Sequence, residues 1–429
     1  MLQQTTTYSP FTITGTIVSV QGTSLLVRLP QASLGDVCWL TARDGRTIWG
    51  QVVSFQDNLF SLALFDEAAG VYPGLAVRTR AMPLTIPVGK ALLGRVITPL
   101  GSPIDNSDLP VLPERIISIY GKPPNAATRP PITEPFETGI RAIDGFCTLG
   151  MGQRMAICAS AGVGKSTLLA SITRGASADV VVVALVGERG REVREFIDNA
   201  LGAAGLQRSV IVVATSDDSS LLRQTAPYTA TAIAEYFRDQ GLRVLLIVDS
   251  LTRMARAIRE TSIAAGELPV RQGYTNSVYM LLPRLLERAG TSPNGSITAL
   301  YTVLTNQDND TDPLADEVKS LVDGHIVLRE ELASKAVFPA IDVTASISRL
   351  FERVTDAASR DVTYRLRYAL SRLWKDRELA LLGGVPDSEL RKILDHQEAL
   401  LGLIKQDLCH GIPLSETRKG MLEVIRCLT

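Results

Sequence analysis

Residues 159–166 (ASAGVGKS) bring two glycines, a lysine and a serine together at the spacing of a phosphate-binding loop. Gly162 and Gly164 allow the backbone to curve around an anion with its amides pointing inward. Lys165 is placed to reach the outer phosphates, and the hydroxyl of Ser166 to ligate Mg²⁺. The segment predicts binding of a nucleoside triphosphate, with these contacts: Gly162, Val163, Gly164, Lys165, Ser166 and Thr167.

The flanks of this loop support the interpretation. An apolar run at residues 155–158 precedes the loop and a helix-forming segment follows it, which is the strand, loop and helix order that the motif requires. One position departs from the usual pattern, because Ala159 replaces the first glycine. An alanine at a strand end still fits the turn if its φ stays negative. The alternative, a Gly/Ala-rich turn with a chance lysine, does not explain the flanks.

Two acidic residues end apolar runs, where catalytic carboxylates are expected. Asp249 follows the run VLLIV and is predicted to hold the Mg²⁺ shell. Glu188 ends another run and is predicted to orient or deprotonate the attacking water, although a solvated loop acid is the alternative. Arg189 is a further catalytic candidate beside it, with an ion pair to Glu192 as the alternative.

The elements that must position these residues alternate between strands and helices. Apolar runs at 179–186, 209–215 and 244–250 read as buried strands, and they are separated by helices predicted at Arg194 to Ala204 and from about Tyr228 to Gln240. Such repeats form a parallel sheet whose ligands bind at the carboxyl ends of the strands.

The remaining segments predict two further domains around this α/β core. Short β-branched runs separated by turn residues predict a small β-barrel for assembly over residues 1–82. The nucleotide domain is predicted over 83–350 and a helical domain over 351–429. In the helical domain, apolar stripes predict one helix that ends at Gly383 and Gly384, a second from Leu390 to Ile404, and a third capped by Ser415.

Composition excludes several classes of function. The 44 basic and 45 acidic residues nearly cancel, so a general affinity for nucleic acid or anionic lipid is not expected. The five cysteines are scattered without metal-ligand spacing, which is typical of a reduced, cytosolic protein. The sequence contains no apolar run of membrane-spanning length and no signal peptide pattern.

Several longer motifs resemble the type III protein-export ATPases of injectisomes and bacterial flagella, which are relatives of the rotary ATP synthase catalytic subunit. The similarity covers nearly all of residues 89–350. It rests on these segments: GERGREVREFI (187–197), YTATAIAEYFRDQG (228–241), DSLTR (249–253), LPRLLERAG (282–290), LVDGHIVL (321–328) and PAIDV (339–343).

The resemblance implies a barrel, a RecA-like nucleotide domain and a helical carboxyl-terminal domain, assembled as a homo-hexamer with ATP sites between neighbouring chains. By position, Arg349 is the finger that reaches the adjacent chain's nucleotide, and Phe338 stacks on adenine. Arg253 lies near the phosphates. The implied activity is Mg²⁺-dependent ATP hydrolysis that energises protein export, with unfolding of export substrates or their release from chaperones.

The resemblance also implies partners and a location. The partners are stator and stalk proteins of the export apparatus, secreted substrates and their chaperones, and no nucleic acid. The location is cytoplasmic, peripheral to the inner membrane at the export apparatus. About ten residues precede the barrel, where family members often carry a longer stator-docking segment, and Asn306 and Asn309 stand where an acidic stretch is usual.

Three alternatives remain. A rotary ATPase catalytic subunit shares the core but is disfavoured by the export-type segments. A hexameric RNA translocase would require a basic, aromatic surface that the amino-terminal stretch lacks. A non-catalytic nucleotide-binding subunit would have no use for Glu188 at the water position.

Overall fold

The amino-terminal strands close into a barrel. The structure is a computed structural model that describes residues 11–105, 112–160, 162–305, 312–381 and 387–428. The barrel strands are β1 (Ile13–Gln21), β2 (Ser24–Arg28), β3 (Asp36–Thr41), β4 (Thr47–Gln56), β5 (Leu59–Leu64) and β6 (Ala76–Pro83). They pair in the order β1-β2-β5-β4-β3-β6, and β6 pairs back onto β1. Inward side chains such as Leu25, Val27 and Leu62 are buried, which confirms the predicted barrel.

A parallel sheet forms the centre of the nucleotide domain. Its strands and the shorter pairs around it are β7 (Thr85–Val88), β8 (Val96–Ile97), β9 (Arg115–Ser118), β10 (Pro135–Phe136), β11 (Leu149–Gly150), β12 (Arg154–Ala159), β13 (Val180–Glu188), β14 (Ser209–Thr215), β15 (Arg243–Asp249), β16 (Pro269–Arg271), β17 (Tyr274–Thr275), β18 (Gly290–Thr291), β19 (Ser296–Leu304), β20 (Gly324–Val327) and β21 (Ile347–Ser348). The sheet order is β21-β20-β12-β19-β15-β13-β14-β8, with β18 on β19. Its long strands run parallel, as predicted.

Helices cover both faces of this sheet. They are α1 (Arg141–Phe146), α2 (Lys165–Gly175), α3 (Gly190–Glu195), α4 (Gly202–Gln207), α5 (Ser220–Asp239), α6 (Leu251–Ala264), α7 (Asn276–Leu286), α8 (Pro313–Leu321), α9 (Glu330–Ser334) and α10 (Phe351–Val354). The apolar side chains of the sheet are shared between two separate core clusters. This sandwich arrangement is the predicted α/β architecture.

Two helices differ from the sequence expectation. The helix expected from about Tyr228 begins at Ser220, because the Ser219 hydroxyl accepts the Leu222 amide hydrogen and the helix continues through Pro227. The helix expected from Arg194 to Ala204 is divided. A π-helical turn at Phe196–Leu201 separates α3 from α4. Gly202 follows this turn with a φ of 67°, which α-helical backbone does not adopt.

The carboxyl-terminal region is helical, as predicted. Its helices are α11 (Ala357–Leu381), α12 (Ser388–Asp395), α13 (Gln397–Ile404) and α14 (Leu414–Leu428). The single helix expected over 390–404 is two helices, because the backbone at His396 leaves the α-helical region. Gly383 and Gly384 lie outside the described residues. Leu366 and Ile404 belong to the same core cluster as residues of α1 and α2, so these helices pack directly on the nucleotide domain.

A buried ion pair lies where the barrel meets the nucleotide domain. The guanidinium of Arg288 donates to both carboxylate oxygens of Glu235, at 2.6 and 2.9 Å, and to the carbonyl of Ile119 at 2.7 Å. Nearby, the Gln51 amide of β4 donates to the hydroxyl of Tyr120 at 2.9 Å. The side chains of Arg288 and Glu235 are only 2% and 12% exposed, so each charge depends on the other for compensation.

Removing one partner of this pair is expected to destabilise the fold strongly. Arg288→Met leaves the Glu235 carboxylate buried without its cation, which costs about 3–5 kcal/mol. The matched control is Arg243→Met, whose partner Asp179 forms a pair with side chains 52% and 34% exposed. We expect that control to lose under about 1 kcal/mol. Urea unfolding of both variants measures the difference, and equal losses would contradict the argument.

Candidate active site

The phosphate-binding loop joins β12 to α2 at the carboxyl edge of the sheet. Gly162 and Gly164 have φ values of 84° and 87°, which glycine adopts without strain. Gly164 caps α2, so the helix opens toward the loop. Ala159 remains in extended pairing as the last residue of β12, as the sequence analysis required. The loop and the helix amino terminus therefore form an anion-binding cradle.

The side chains of this loop divide between core and solvent. Val163 is 2% exposed and anchors the loop in the hydrophobic core. Ser166 and Thr167 lie exposed in the first turn of α2. Lys165 is partly buried and directed across the sheet edge. The loop thus places a cation and two exposed hydroxyl residues at the start of α2.

Lys165 brings the two predicted carboxylates into one cluster. Its ammonium forms an ion pair with Asp249 and lies 3.7 Å from a carboxylate oxygen of Glu188. The two acids end neighbouring strands, since Leu185 of β13 pairs with Asp249 of β15. This arrangement places all three charged groups at the edge where α/β sheets bind ligands.

A threonine that the sequence analysis missed orients one of these acids. The hydroxyl of Thr302, in the middle strand β19, donates to Oδ1 of Asp249 at 2.7 Å. Both residues are buried, at 0% and 2% exposure. Because Thr302 lies between two apolar residues of a strand, its spacing carries no signal; only the pairing of β19 with β15 brings it to the site.

Backbone geometry directs Glu188 into the site. The register between β13 and β14 shifts between Val186 and Glu188, and Gly187 has a φ of 66°. A side chain at Gly187 would approach Cδ of Arg253 to 3.1 Å. Glycine therefore allows the irregularity that turns the carboxylate of Glu188 toward Lys165.

Burial dominates the electrostatics of Glu188. Desolvation raises the pKa of this carboxyl above its usual 4.5, and the neighbouring charge of Asp249 raises it further. Lys165 and Arg253 oppose both effects. The guanidinium of Arg253 contacts Glu188 at 2.7 Å and donates to the carbonyl of Gly187 at 2.5 Å. A carboxylate with a raised pKa is a stronger proton acceptor, which suits general base catalysis.

The predicted arginines occupy different surroundings. Arg253 lies beside Glu188. Arg189 has a side chain 77% exposed and forms an ion pair with Glu192 at 3.5 Å. That ion pair is the alternative interpretation of Arg189, and in this conformation its guanidinium points to solvent.

A cavity of about 480 Å³ opens beside the phosphate-binding loop. Val163, Gly164, Thr167 and Phe338 line the side formed by the nucleotide domain. Phe338 is 46% exposed, which leaves an aromatic side chain accessible for stacking. Residues 406–409, between α13 and α14, form another wall of the cavity. No sequence pattern indicates this wall, because it lies far along the chain from the loop.

Arg349 lies at the opposite end of the sheet from its own phosphate-binding loop. Its backbone amide donates to the carbonyl of Asp323 at 2.9 Å, just before the amino end of β20. The loop instead follows the carboxyl end of β12, which runs parallel to β20. The exposed guanidinium donates to the carbonyl of Lys319 at 3.2 Å. Within one chain, Arg349 and Lys165 are therefore directed to different surfaces.

The donor set fits a magnesium ion held together with substrate. Among the described residues, no group of three or more His, Cys, Asp or Glu side chains forms a dedicated metal site. Mg²⁺ usually needs only one or two carboxylates, because phosphates and waters complete its shell. Asp249 and Ser166 supply a carboxylate and a hydroxyl beside the phosphate cradle. Asn306 and Asn309, which stand where the family usually has an acidic stretch, lie outside the described residues.

The fold and the site define a P-loop nucleoside triphosphatase of the RecA-like class. The model of the ATP synthase alpha/beta family, nucleotide-binding domain, matches residues 139–348. The type 3 secretion system ATPase of Xanthomonas euvesicatoria is 48% identical over 396 residues, 91% of this chain and 89% of that protein. The flagellum-specific ATP synthase of Bacillus subtilis is 45% identical, over 88% of this chain and 87% of that protein. The chain belongs to the type III secretion and flagellar ATPases, and its activity is ATP hydrolysis.

Solved structures agree with this assignment. The assembled ATPase EscN from the type III secretion system of enteropathogenic E. coli superposes with a TM-score of 0.91 at 40% identity, covering 96% of this chain and 100% of that one. EscN in complex with its central stalk EscO gives a TM-score of 0.88 at the same identity, with 96% and 100% coverage. The family predicted from the sequence motifs is confirmed. Across the described ranges, no helix combines the length and hydropathy needed to span a bilayer.

Proposed function

We propose that this chain hydrolyses ATP with Mg²⁺ to energise protein export through a type III secretion apparatus, of the injectisome or flagellar kind. The observation that carries the proposal is the cluster of Lys165, Asp249 and Glu188 beside the phosphate-binding loop. Phosphoryl transfer requires positioning, charge compensation and a group that activates water. Each of these requirements has a residue in the cluster.

The residues of the site divide these tasks. Lys165 moves from Asp249 to the outer phosphates of ATP. The attraction of its ammonium to the phosphates is comparable to its attraction to the Asp249 carboxylate. Asp249, kept in orientation by Thr302, is then free to hold the metal shell together with Ser166. When bound, Mg²⁺ neutralises part of the phosphate charge. Glu188 accepts a proton from the attacking water, and Arg253 holds its carboxylate in place.

The base and ribose extend from the loop into the neighbouring cavity. Its volume of about 480 Å³ is in the range of ligand-binding pockets. Phe338 offers an exposed aromatic face for stacking on adenine. Thr167, in the first turn of α2, lies beside the phosphate-binding loop and lines the cavity. ATP would therefore contact the chain along its whole length.

We further propose a homo-hexamer in which Arg349 of one chain reaches the nucleotide of the next. The position of Arg349 on the surface opposite its own loop supports this arrangement. EscN, a relative, is described as an assembled ATPase and as a complex with a central stalk. By analogy, the partners are a stalk protein, a stator, secreted substrates and their chaperones, at the cytoplasmic face of the inner membrane.

Replacing Lys165 with alanine tests the proposed function. The change leaves the outer phosphate charge uncompensated, so phosphate release with Mg²⁺ and ATP is expected to fall to background. Lys122→Ala, which removes an exposed lysine outside the site, is the matched control and should keep wild-type activity. Full hydrolysis by the Lys165 variant would refute the assignment of the loop.

A further inference from the structure

The segment between α13 and α14 joins the carboxyl-terminal helices to the nucleotide cavity. We call residues 405–412 the connector. Four of its residues line the cavity together with Phe338, and they are Gln406, Asp407, Leu408 and Cys409. Loops position side chains accurately only when their backbone is held by the surrounding structure. The connector is held at three places.

The first place is the side chain of Gln406, which is 8% exposed. Its Oε1 accepts the amide hydrogen of Arg141 at 2.8 Å. Its Nε2 donates to the carbonyl of Gly139 at 2.7 Å and to that of His410 at 3.1 Å. One amide group therefore fastens the connector both to the start of α1 and to itself.

The backbone of Gln406 adds a direct link to the proposed base site. Its amide donates to the carbonyl of Phe338 at 2.9 Å, so the two walls of the cavity are hydrogen-bonded to each other. A shift of the connector would change the width of the cavity at the aromatic ring. Gln406 thus lines the cavity, while the polar atoms of its side chain are bonded to Arg141, Gly139 and His410.

The second and third places are on α2 and at a glycine junction. Arg174, in the last turn of α2, donates to the carbonyl of Leu408 at 2.6 Å. Gly139, Gly175 and Gly411 meet so closely that a Cβ on Gly411 would lie 3.1 Å from the Cα of Gly175. The connector backbone therefore rests directly on the helix that begins at the phosphate-binding loop.

From these contacts we infer that Gln406 is a positioning residue for recognition of the nucleotide base. Its amide fixes the connector, and the connector supplies the wall that closes on the base. The inference rests on the proposed function, since it assumes that the cavity holds the base of ATP. It assigns to Gln406 no part in phosphate binding or in the transfer step.

This role predicts a selective loss in Gln406→Leu. Leucine has a similar volume but leaves the buried amide of Arg141 without its partner, so the connector shifts. Affinity for ATP should fall about ten- to hundredfold, which corresponds to the loss of one or two such hydrogen bonds. KM should rise in step while kcat stays within a few-fold of wild type, because the triphosphate cluster is unchanged.

The experiment compares ATP with inorganic tripolyphosphate, a ligand that has no base, by calorimetry with Mg²⁺ present. Gln406→Leu should weaken the binding of ATP and leave the affinity for tripolyphosphate unchanged. Arg174→Met removes the other side-chain anchor of the connector and should give the same pattern, which guards against a folding defect in one variant. Gln240→Leu, an exposed glutamine at the end of α5, is the matched control.

The outcomes separate this inference from the proposed function. Unchanged ATP affinity in both connector variants would overturn it. An equal loss of ATP and tripolyphosphate would also overturn it, because that loss places the defect at the phosphates. Failure of the wild-type protein to bind either ligand would instead refute the proposed function itself.

Discussion

Replacing Arg349 with alanine is expected to lower kcat by about 10³–10⁵-fold while ATP still binds. An arginine supplied by a neighbouring chain spreads positive charge over the phosphoryl group in the transition state. Arg349 is exposed and lies next to the amino end of β20, away from its own phosphate-binding loop, which is why we propose that it serves the site of a neighbouring chain. Steady-state phosphate release and fluorescent nucleotide binding measure the two quantities. Arg353→Ala, an exposed arginine in the following helix, should remain active.

Mixing two inactive variants tests the origin of the arginine. In a mixed assembly, an intact Lys165 site on an Arg349→Ala chain faces the intact Arg349 of a Lys165→Ala neighbour. A fraction of wild-type activity should therefore return, limited by how many interfaces pair correctly. If mixed assemblies form and remain inactive at every ratio, Arg349 is a structural residue of its own chain.

Glu188→Gln is expected to lower turnover by about 10²–10⁴-fold, the usual contribution of a general base. The amide preserves the shape of the side chain but cannot accept a proton. ATP binding should persist, since Lys165 and the loop are unchanged. Glu195→Gln, on the exposed surface of α3, serves as the control. Turnover within a few-fold of wild type would show that Glu188 is only a loop acid.

The pH dependence gives a second readout of the same group. Glu188 acts as a base when deprotonated, and burial raises its pKa above the usual 4.5. Activity of the wild-type enzyme should therefore fall as pH decreases through a value above 4.5. The residual activity of Glu188→Gln should lack that acidic limb. An identical pH profile in both proteins would assign the limb to another group.

Local motifs explain why much of the site could be predicted from the sequence. Lys165 and Ser166 follow a strand and begin a helix, and the strand, loop and helix are consecutive in the sequence. Glu188 and Asp249 end apolar runs, and parallel pairing brings such ends to one edge. The barrel strands and the carboxyl-terminal helices could also be predicted, because the periodicity of apolar residues is a local property of the sequence.

Long-range contacts explain what could not be predicted. Thr302 reaches Asp249 through strand pairing, and Gln406 reaches Phe338 after the intervening helices α11, α12 and α13. Neither contact leaves a spacing pattern in the chain. Helix α5 begins at Ser220 rather than near Tyr228, because the cap at Ser219 determines its start.

The distribution of buried apolar side chains divides the molecule differently from its three segments. The barrel has a core cluster of its own, with members such as Ile17 and Leu40. One cluster, in contrast, runs without interruption from Leu168 of α2 to Ile425 of α14. Groups that share one close-packed interior lose their contacts together when either side opens. We therefore expect the carboxyl-terminal helices and the adjoining face of the nucleotide domain to unfold as one cooperative unit, in a single transition with heat or denaturant.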